Sequence, residues 1–266
     1  MTKFVFLPDA HVGFDVWHTE EGMVRKPTHD LGMIRLAAKF IKDFEPNLII
    51  FGGDQLNSAA IGRWNKDKPA HFLQNTYLEE IDICKKQVLA PLAQAAPGAE
   101  FVWMDGNHDG WIYAWKDKYP QIEKLLNPWG LLGVSGPHGK VKQWKYVPKG
   151  YVYPLGKLNM VHGDNLRARQ DHASAALADW NCNLWYGHFH SFQAATKTDP
   201  QFQRNKKCAM AIPMLGQRNP AYGNGSANKY MQGFGYGYVG KSGHFSGYPV
   251  LVVGNKVIIE GREYSK

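Results

Sequence analysis

Five short stretches of this chain carry side chains able to hold cations. They are Asp9 and His11 in PDAH, Asp54 in GGD, Asn107, His108 and Asp109 in GNHD, His162 in HGD, and His188 and His190 in GHFH. Carboxylates and imidazoles together form a mixed oxygen–nitrogen donor set, which suits Mn, Fe or Zn better than Mg or Ca. In D-x-H and H-x-H the two donors stand two residues apart, so on an extended backbone both point to one side. Any one of these stretches is also an ordinary polar loop. Asp54 alone reads equally well as an Asx turn or a helix N-cap. Five of them, each just after an apolar run, form a pattern that chance explains poorly.

The apolar runs are the elements that must position these donors. Phe4–Leu7, Leu48–Phe51 and Phe101–Met104 are short, continuous and rich in β-branched and aromatic residues, as buried strands are. A helix is expected from Asp30 to Phe44, ended by Glu45-Pro46, and another over 69–96, broken or kinked at Pro91. The order is therefore β-α-β-α-β, a sheet with flanking helices. Residues 17–27 show no periodicity and read as a long loop, with His18 and His29 as surface residues. Trp111, Tyr113, Trp115, Tyr119 and Trp129 cap the core from a helix, and 130–150 is the boundary between two halves of the fold. The second half is strand-dominated: a hairpin of 151–153 with 158–161, a helix over 169–180, and a strand over 183–186. A hairpin of 250–253 with 256–259 closes the chain around Gly254-Asn255.

Composition frames the function. The chain has 266 residues, 44% hydrophobic and 13% aromatic, which fits a soluble globular protein rather than a disordered chain. No apolar run approaches the roughly 20 residues that span a bilayer. The start, MTKFVFLP, reads as a strand rather than a signal peptide. Cys84, Cys182 and Cys208 form no C-x-x-C pair, so neither a disulfide framework nor a zinc ribbon is implied and a cytoplasmic setting is expected. A net charge of +8, from 31 Lys plus Arg against 23 Asp plus Glu, favours an anionic partner such as nucleic acid or a phosphorylated metabolite.

Taken in order, D-x-H, G-G-D, G-N-H-D, H-G and G-H-x-H resemble the five motifs of the calcineurin-like metallophosphoesterase superfamily. The resemblance implies a four-layer α/β fold, a β-sandwich flanked by helices, as a single domain over 1–266. The motifs occupy 9–190 and a strand-rich part follows over 191–266. It implies two divalent metal ions, Mn foremost with Fe, Zn or Ni as alternatives. One ion would be held by Asp9, His11 and His190, the other by Asn107, His162 and His188, with Asp54 bridging. His108 would be the catalytic proton donor or charge stabiliser. The implied activity is hydrolysis of phosphodiester bonds in nucleic acid or nucleotides, by attack of a metal-bridged hydroxide. The alternatives are a phosphomonoesterase for small substrates and a non-catalytic interaction protein on the same fold.

Details narrow the resemblance. The protein Ser/Thr phosphatases carry G-D-x-H-G, G-D-x-V-D-R-G and G-N-H-E, where this chain has PDAHVG, GGDQLNS and GNHD. It looks more similar to phage-encoded phosphoesterases and SbcD-type repair exonucleases. Asn57 and Ser58 stand where the latter often have a histidine, and the chain has little room for their capping domain. From Ala209 onward the chain is rich in Gly and Tyr. Arg218, Lys229 and Lys241 are the candidate substrate-binding cations for a DNA or RNA backbone, with Tyr222, Tyr230, Phe234, Tyr236 and Tyr238 as a possible aromatic rim. The plainer reading of the 230s, strands with glycine turns, is preferred. His244 is left without a role.

Overall fold

The computed structural model describes residues 1–62, 77–122, 127–137, 139–198, 206–220 and 229–266. The first half runs β1 (Thr2–Leu7), β2 (Phe14–Thr19), β3 (Gly22–Pro27), α1 (Leu31–Phe44), β4 (Leu48–Phe51), α2 (Tyr77–Ile83, Cys84–Leu89 and Ala90–Ala95 in succession), β5 (Glu100–Met104), α3 (Trp111–Lys118), α4 (Pro128–Leu132) and β6 (Trp144–Val147). The second half runs β7 (Tyr153–Leu155), β8 (Leu158–Val161), α5 (His172–Trp180), β9 (Leu184–Tyr186), β10 (Gln193–Lys197), β11 (Lys207–Ala211), β12 (Gln232–Val239), β13 (Phe245–Val252), β14 (Lys256–Ile259) and β15 (Arg262–Ser265).

Two sheets form the centre. The first has the order β13-β12-β1-β4-β5-β6, with β1, β4, β5 and β6 parallel. The second has the order β10-β11-β9-β8-β7, with β8, β9 and β11 parallel. Side-chain alternation along the strands makes three cores. Phe4, Phe6, Leu48, Ile50, Val102 and Met104 of the first sheet meet Leu158, Met160 and Trp185 of the second. Their neighbours Val5, Leu7, Ile49, Phe51 and Trp103 face the other way, onto the apolar sides of α1 and α2. Behind the second sheet, Val161, Leu184 and Tyr186 pack against Ala176 and Leu177 of α5. The result is the helix–sheet–sheet–helix layering expected from the sequence.

Local signals explain the ends of α1. The Asp30 side chain accepts the N–H groups of Gly32 and Met33 at 2.9 and 3.1 Å, an N-cap. Glu45 stops the helix in a left-handed conformation, with Pro46 behind it. Pro91 does not break α2. A π-helical turn over Cys84–Leu89 precedes it, and the helix continues to Ala95, the wider turn accommodating the missing N–H and the ring. The part of this helix expected over 69–76 lies outside the described residues.

Three other expectations are corrected. Residues 17–27 are not a loop: Phe14–Thr19 and Gly22–Pro27 pair as a hairpin. Val253 and Lys256 share a single bridge around Gly254-Asn255, and β14 instead pairs fully with β15. The glycines of the 230s are not turns. Gly235 lies inside β12, where a Cβ would stand 2.5 Å from the Trp185 ring, so its bare backbone lets that indole approach closely.

Candidate metal centre

Parallel strands end on the same side, so the loops after β1, β4 and β5 emerge together at one sheet edge, beside those after β8 and β9. Hydrogen bonds lace the five loops into one body. Asp9 N–H donates to the Gly53 carbonyl at 3.0 Å, His11 N–H to that of Asp54 at 3.0 Å, and Gly187 N–H to that of His162 at 2.8 Å. The Asp9 carboxylate accepts His188 N–H at 2.8 Å, and the Asp54 carboxylate accepts His108 N–H at 2.8 Å.

Donor atoms gather in two clusters. In the first, Asp9 Oδ1 lies 3.5 Å from His190 Nε2 and 4.0 Å from His11 Nε2, and the two imidazole nitrogens are 3.0 Å apart. In the second, Asp54 groups with His162 and His188, with Asp54 Oδ2 3.2 Å from His162 Nε2. Asn107 Oδ1 lies 3.1 Å from that same nitrogen. Asp54 also groups with His11 and His108, which puts it between the clusters. All seven side chains expected as ligands, and His108 with them, are thus brought together.

The route by which they meet differs from expectation. Asp9, His11, Asp54, His188 and His190 have φ of 56°, 45°, 52°, 65° and 54°, so none is extended and same-side alternation does not apply. With these left-handed turns, uncommon away from glycine, Asp9 and His11 still reach one cluster as expected, whereas His188 and His190 part. His188 joins the second cluster and His190 the first, while Phe189 between them stacks on His172 at 4.1 Å. The close approach also demands glycine at Gly53 and Gly106, where a Cβ would strike the His162 ring and the Asp54 carboxylate.

The electrostatics fit cation binding. Burial opposes ionisation of Asp9 and Asp54, but His190 beside the first and His162 beside the second hold both carboxyls below their ordinary range. Burial lowers His11 to about 3, helped by His108 and His190, and lowers His188 to about 4, helped by His162. Both rings are therefore neutral near pH 7, with a nitrogen lone pair available to a metal. Burial works against a charge on His162 too, but the Asp54 carboxylate raises it to about 10, so this ring is protonated near pH 7 and would release that proton on binding a metal. Asp9 Oδ1 is buried without a hydrogen-bond partner. An uncompensated buried carboxylate oxygen is costly, and a cation held jointly with His11 and His190 would satisfy it.

His108 is held differently. Its Nδ1 donates to the Asn57 carbonyl at 2.7 Å, leaving Nε2 4.0 Å from Asp54 Oδ2. Trp111 covers one face of the ring at 4.0 Å. Of the candidate substrate-binding cations, Lys229 is exposed and precedes Tyr230, whose ring lies 4.7 Å from that of His190. Arg218 is exposed and follows Gly216-Gln217, and Gly216 N–H donates to the Asp9 carbonyl. Lys241 is not brought to the site. It sits in the β12–β13 turn, where Val239 pairs with Thr2, at the opposite end of β1 from Asp9. Of the proposed rim, Tyr222 lies outside the described residues. Phe234 and Tyr236 pack into the core with α1.

Several supporting residues went unassigned in the sequence. The Asp109 carboxylate accepts N–H groups from Asp54 at 2.7 Å, Gly106 at 3.0 Å and Leu56 at 3.3 Å, tying the second motif to the third. Its place inside GNHD was the available signal. Thr28 donates its hydroxyl to the His11 carbonyl at 2.6 Å, with no local signal at all. His29, expected at the surface, is buried and its ring nitrogen meets the Gly13 backbone.

No family model and no curated protein matches this chain. Among solved structures, the crystal structure of Chaetomium thermophilum Vps29 aligns over 93% of this chain and 96% of that one, at 11% identity and a TM-score of 0.38. A likeness of that strength transfers nothing to this chain.

Proposed function

We propose that this chain is a metal-dependent phosphoester hydrolase that cleaves phosphodiesters of nucleic acid or nucleotides. One observation carries the reading. Donors from five separate loops converge in overlapping groups, Asp9 with His11 and His190, Asp54 with His162 and His188, and Asp54 with His11 and His108 between them. Asp9, His11 and His190 would hold one divalent ion, and Asn107, His162 and His188 the other. Asp54 would serve both, since a carboxylate has two oxygens where an imidazole has one free nitrogen. The donor set favours Mn, with Fe, Zn or Ni admissible. When bound, such ions supply Lewis acidity to phosphoryl oxygens and make a water nucleophilic near neutral pH.

The chain's own residues supply the remainder. His108, with Nδ1–H committed to the Asn57 carbonyl, presents Nε2 to the departing oxygen and would donate a proton or hydrogen bond there as the imidazolium, a form that burial disfavours and the neighbouring Asp54 carboxylate favours. Arg218 and Lys229, on the segments beside the clusters, would hold the anionic backbone.

The test is release of nucleotides from end-labelled single- and double-stranded DNA with Mn²⁺, run beside the Asp54→Ala protein. Release by the wild type alone supports a nuclease. If only a chromogenic diester is cleaved, the substrate is a small nucleotide. Faster cleavage of a chromogenic monoester makes the enzyme a phosphomonoesterase. Cleavage of none of these overturns the reading.

A further inference from the structure

His172 belongs to neither cluster, yet it is buried and its contacts converge on the loop that carries two of their members. It is the first residue of α5. Its Nδ1 lies 2.8 Å from the Tyr186 hydroxyl and its Nε2 3.1 Å from the Ser191 hydroxyl. The Phe189 ring lies flat on it, 4.1 Å away and tilted by 7°. Next to it, Ala173 N–H donates to Gln193 Oε1 at 3.2 Å. Residues 186, 189, 191 and 193 are thus gripped by the start of one helix, while 188 and 190, interleaved among them, turn to the donor clusters. Both of those histidines have left-handed backbone, which persists only where the surroundings over-determine it.

We infer that His172 is a positioning residue that splints the His188–Ser191 loop and thereby sets the affinity of both cation pockets. The inference rests on the metal reading above. The chemistry of the ring fits the task. Burial, with Lys229 nearby, lowers His172 to about 4, so near pH 7 it is neutral, with one nitrogen donating and the other accepting. Each of its hydroxyl partners is able to do either. The loop feeds one ligand into each pocket, so loosening it weakens both, whereas loss of a single ligand weakens its own pocket first.

The experiment measures Mn²⁺ binding to the full chain by the electron paramagnetic resonance signal of free Mn²⁺, with the Tm recorded alongside. His172→Phe keeps the stack on Phe189 and removes both hydrogen bonds. The expected result is a folded protein whose two Mn²⁺ dissociation constants rise by about 10- to 100-fold, the range seen when groups that orient ligands are lost. His172→Gln, which retains a donor and an acceptor, is expected to recover part of that loss. A folded His172→Phe protein with wild-type constants and only a lower Tm overturns the inference. Should His172→Phe fail to fold, the Tyr186→Phe/Ser191→Ala double variant removes the same two bonds and is read the same way. His188→Asn and His190→Asn are the controls. If each still binds two Mn²⁺ as the wild type does, the metal reading itself has failed, and the splint falls with it.

Discussion

At the scale of residues, Asp54 and His108 separate binding from turnover. Asp54 groups with His162 and His188 on one side and with His11 and His108 on the other, and its carboxylate also accepts His108 N–H. Asp54→Ala is therefore expected to lose at least one of two Mn²⁺ ions in equilibrium dialysis, and all hydrolysis with it. His108 contributes no donor atom to the proposed ligand set, and Asn57 fixes its ring from behind. His108→Ala is expected to retain both ions and to lose about 10²- to 10⁴-fold in kcat, the usual contribution of a positioned proton donor. Wild-type turnover by His108→Ala would remove this residue from the mechanism. The convergence of these residues was legible in the sequence because residue type and motif order carry it. The geometry was not, because a left-handed φ at Asp9 or His190 leaves no mark on composition. Aspartate and histidine are simply among the residues that tolerate it.

At the scale of elements, α2 reaches the site through Glu80. This carboxyl is fully buried and accepts Ser58 N–H at 2.6 Å, next to the Asn57 carbonyl that anchors His108. Burial raises its pKa from 4.5 to about 8. The folded protein thus keeps a proton that the unfolded chain releases between those values, and Glu80 destabilises the fold progressively as pH rises through that window. Metal-free Glu80→Gln protein is expected to gain on the wild type by about 1.4 kcal/mol per pH unit across the middle of the window. Urea unfolding at pH 5, 6 and 7 measures it, and a constant difference would show that Glu80 does not titrate there. Elements buried on both faces, such as β1, β4 and β5, were legible because their apolar runs are continuous. The β2–β3 hairpin was not, since it is mostly half-buried with no clean apolar alternation and turns through Glu20-Glu21 rather than a glycine-asparagine pair. The partner of β14 was equally hidden, because Gly254-Asn255 and Glu260-Gly261 are both plausible turns and packing decides between them. Glycine inside β12 carried its meaning only once Trp185 was seen against it.

At the scale of the whole molecule, the net charge of +8 bears on which anion the site meets. A phosphodiester backbone bound by several cations releases counterions, so affinity falls linearly on logarithmic axes as salt rises, whereas a small diester touching one or two charges barely responds. The fold assigns the candidate cations unequal parts. Lys229 lies beside Tyr230 and His190, while Lys241 lies at the other end of the sheet. In Asp54→Ala protein, which prevents turnover, binding of a single-stranded oligonucleotide followed by fluorescence anisotropy is expected to weaken steeply between 50 and 200 mM KCl, a span in which about 10³-fold is lost by proteins making six or more phosphate contacts. Adding Lys229→Ala should reduce the slope by about one, and adding Lys241→Ala should leave it unchanged. Equal effects from the two would mean that the oligonucleotide follows a track over the sheet rather than the mouth of the clusters. A flat salt response in the parent protein would make the basic surface irrelevant to the substrate and leave small nucleotides as what the site hydrolyses.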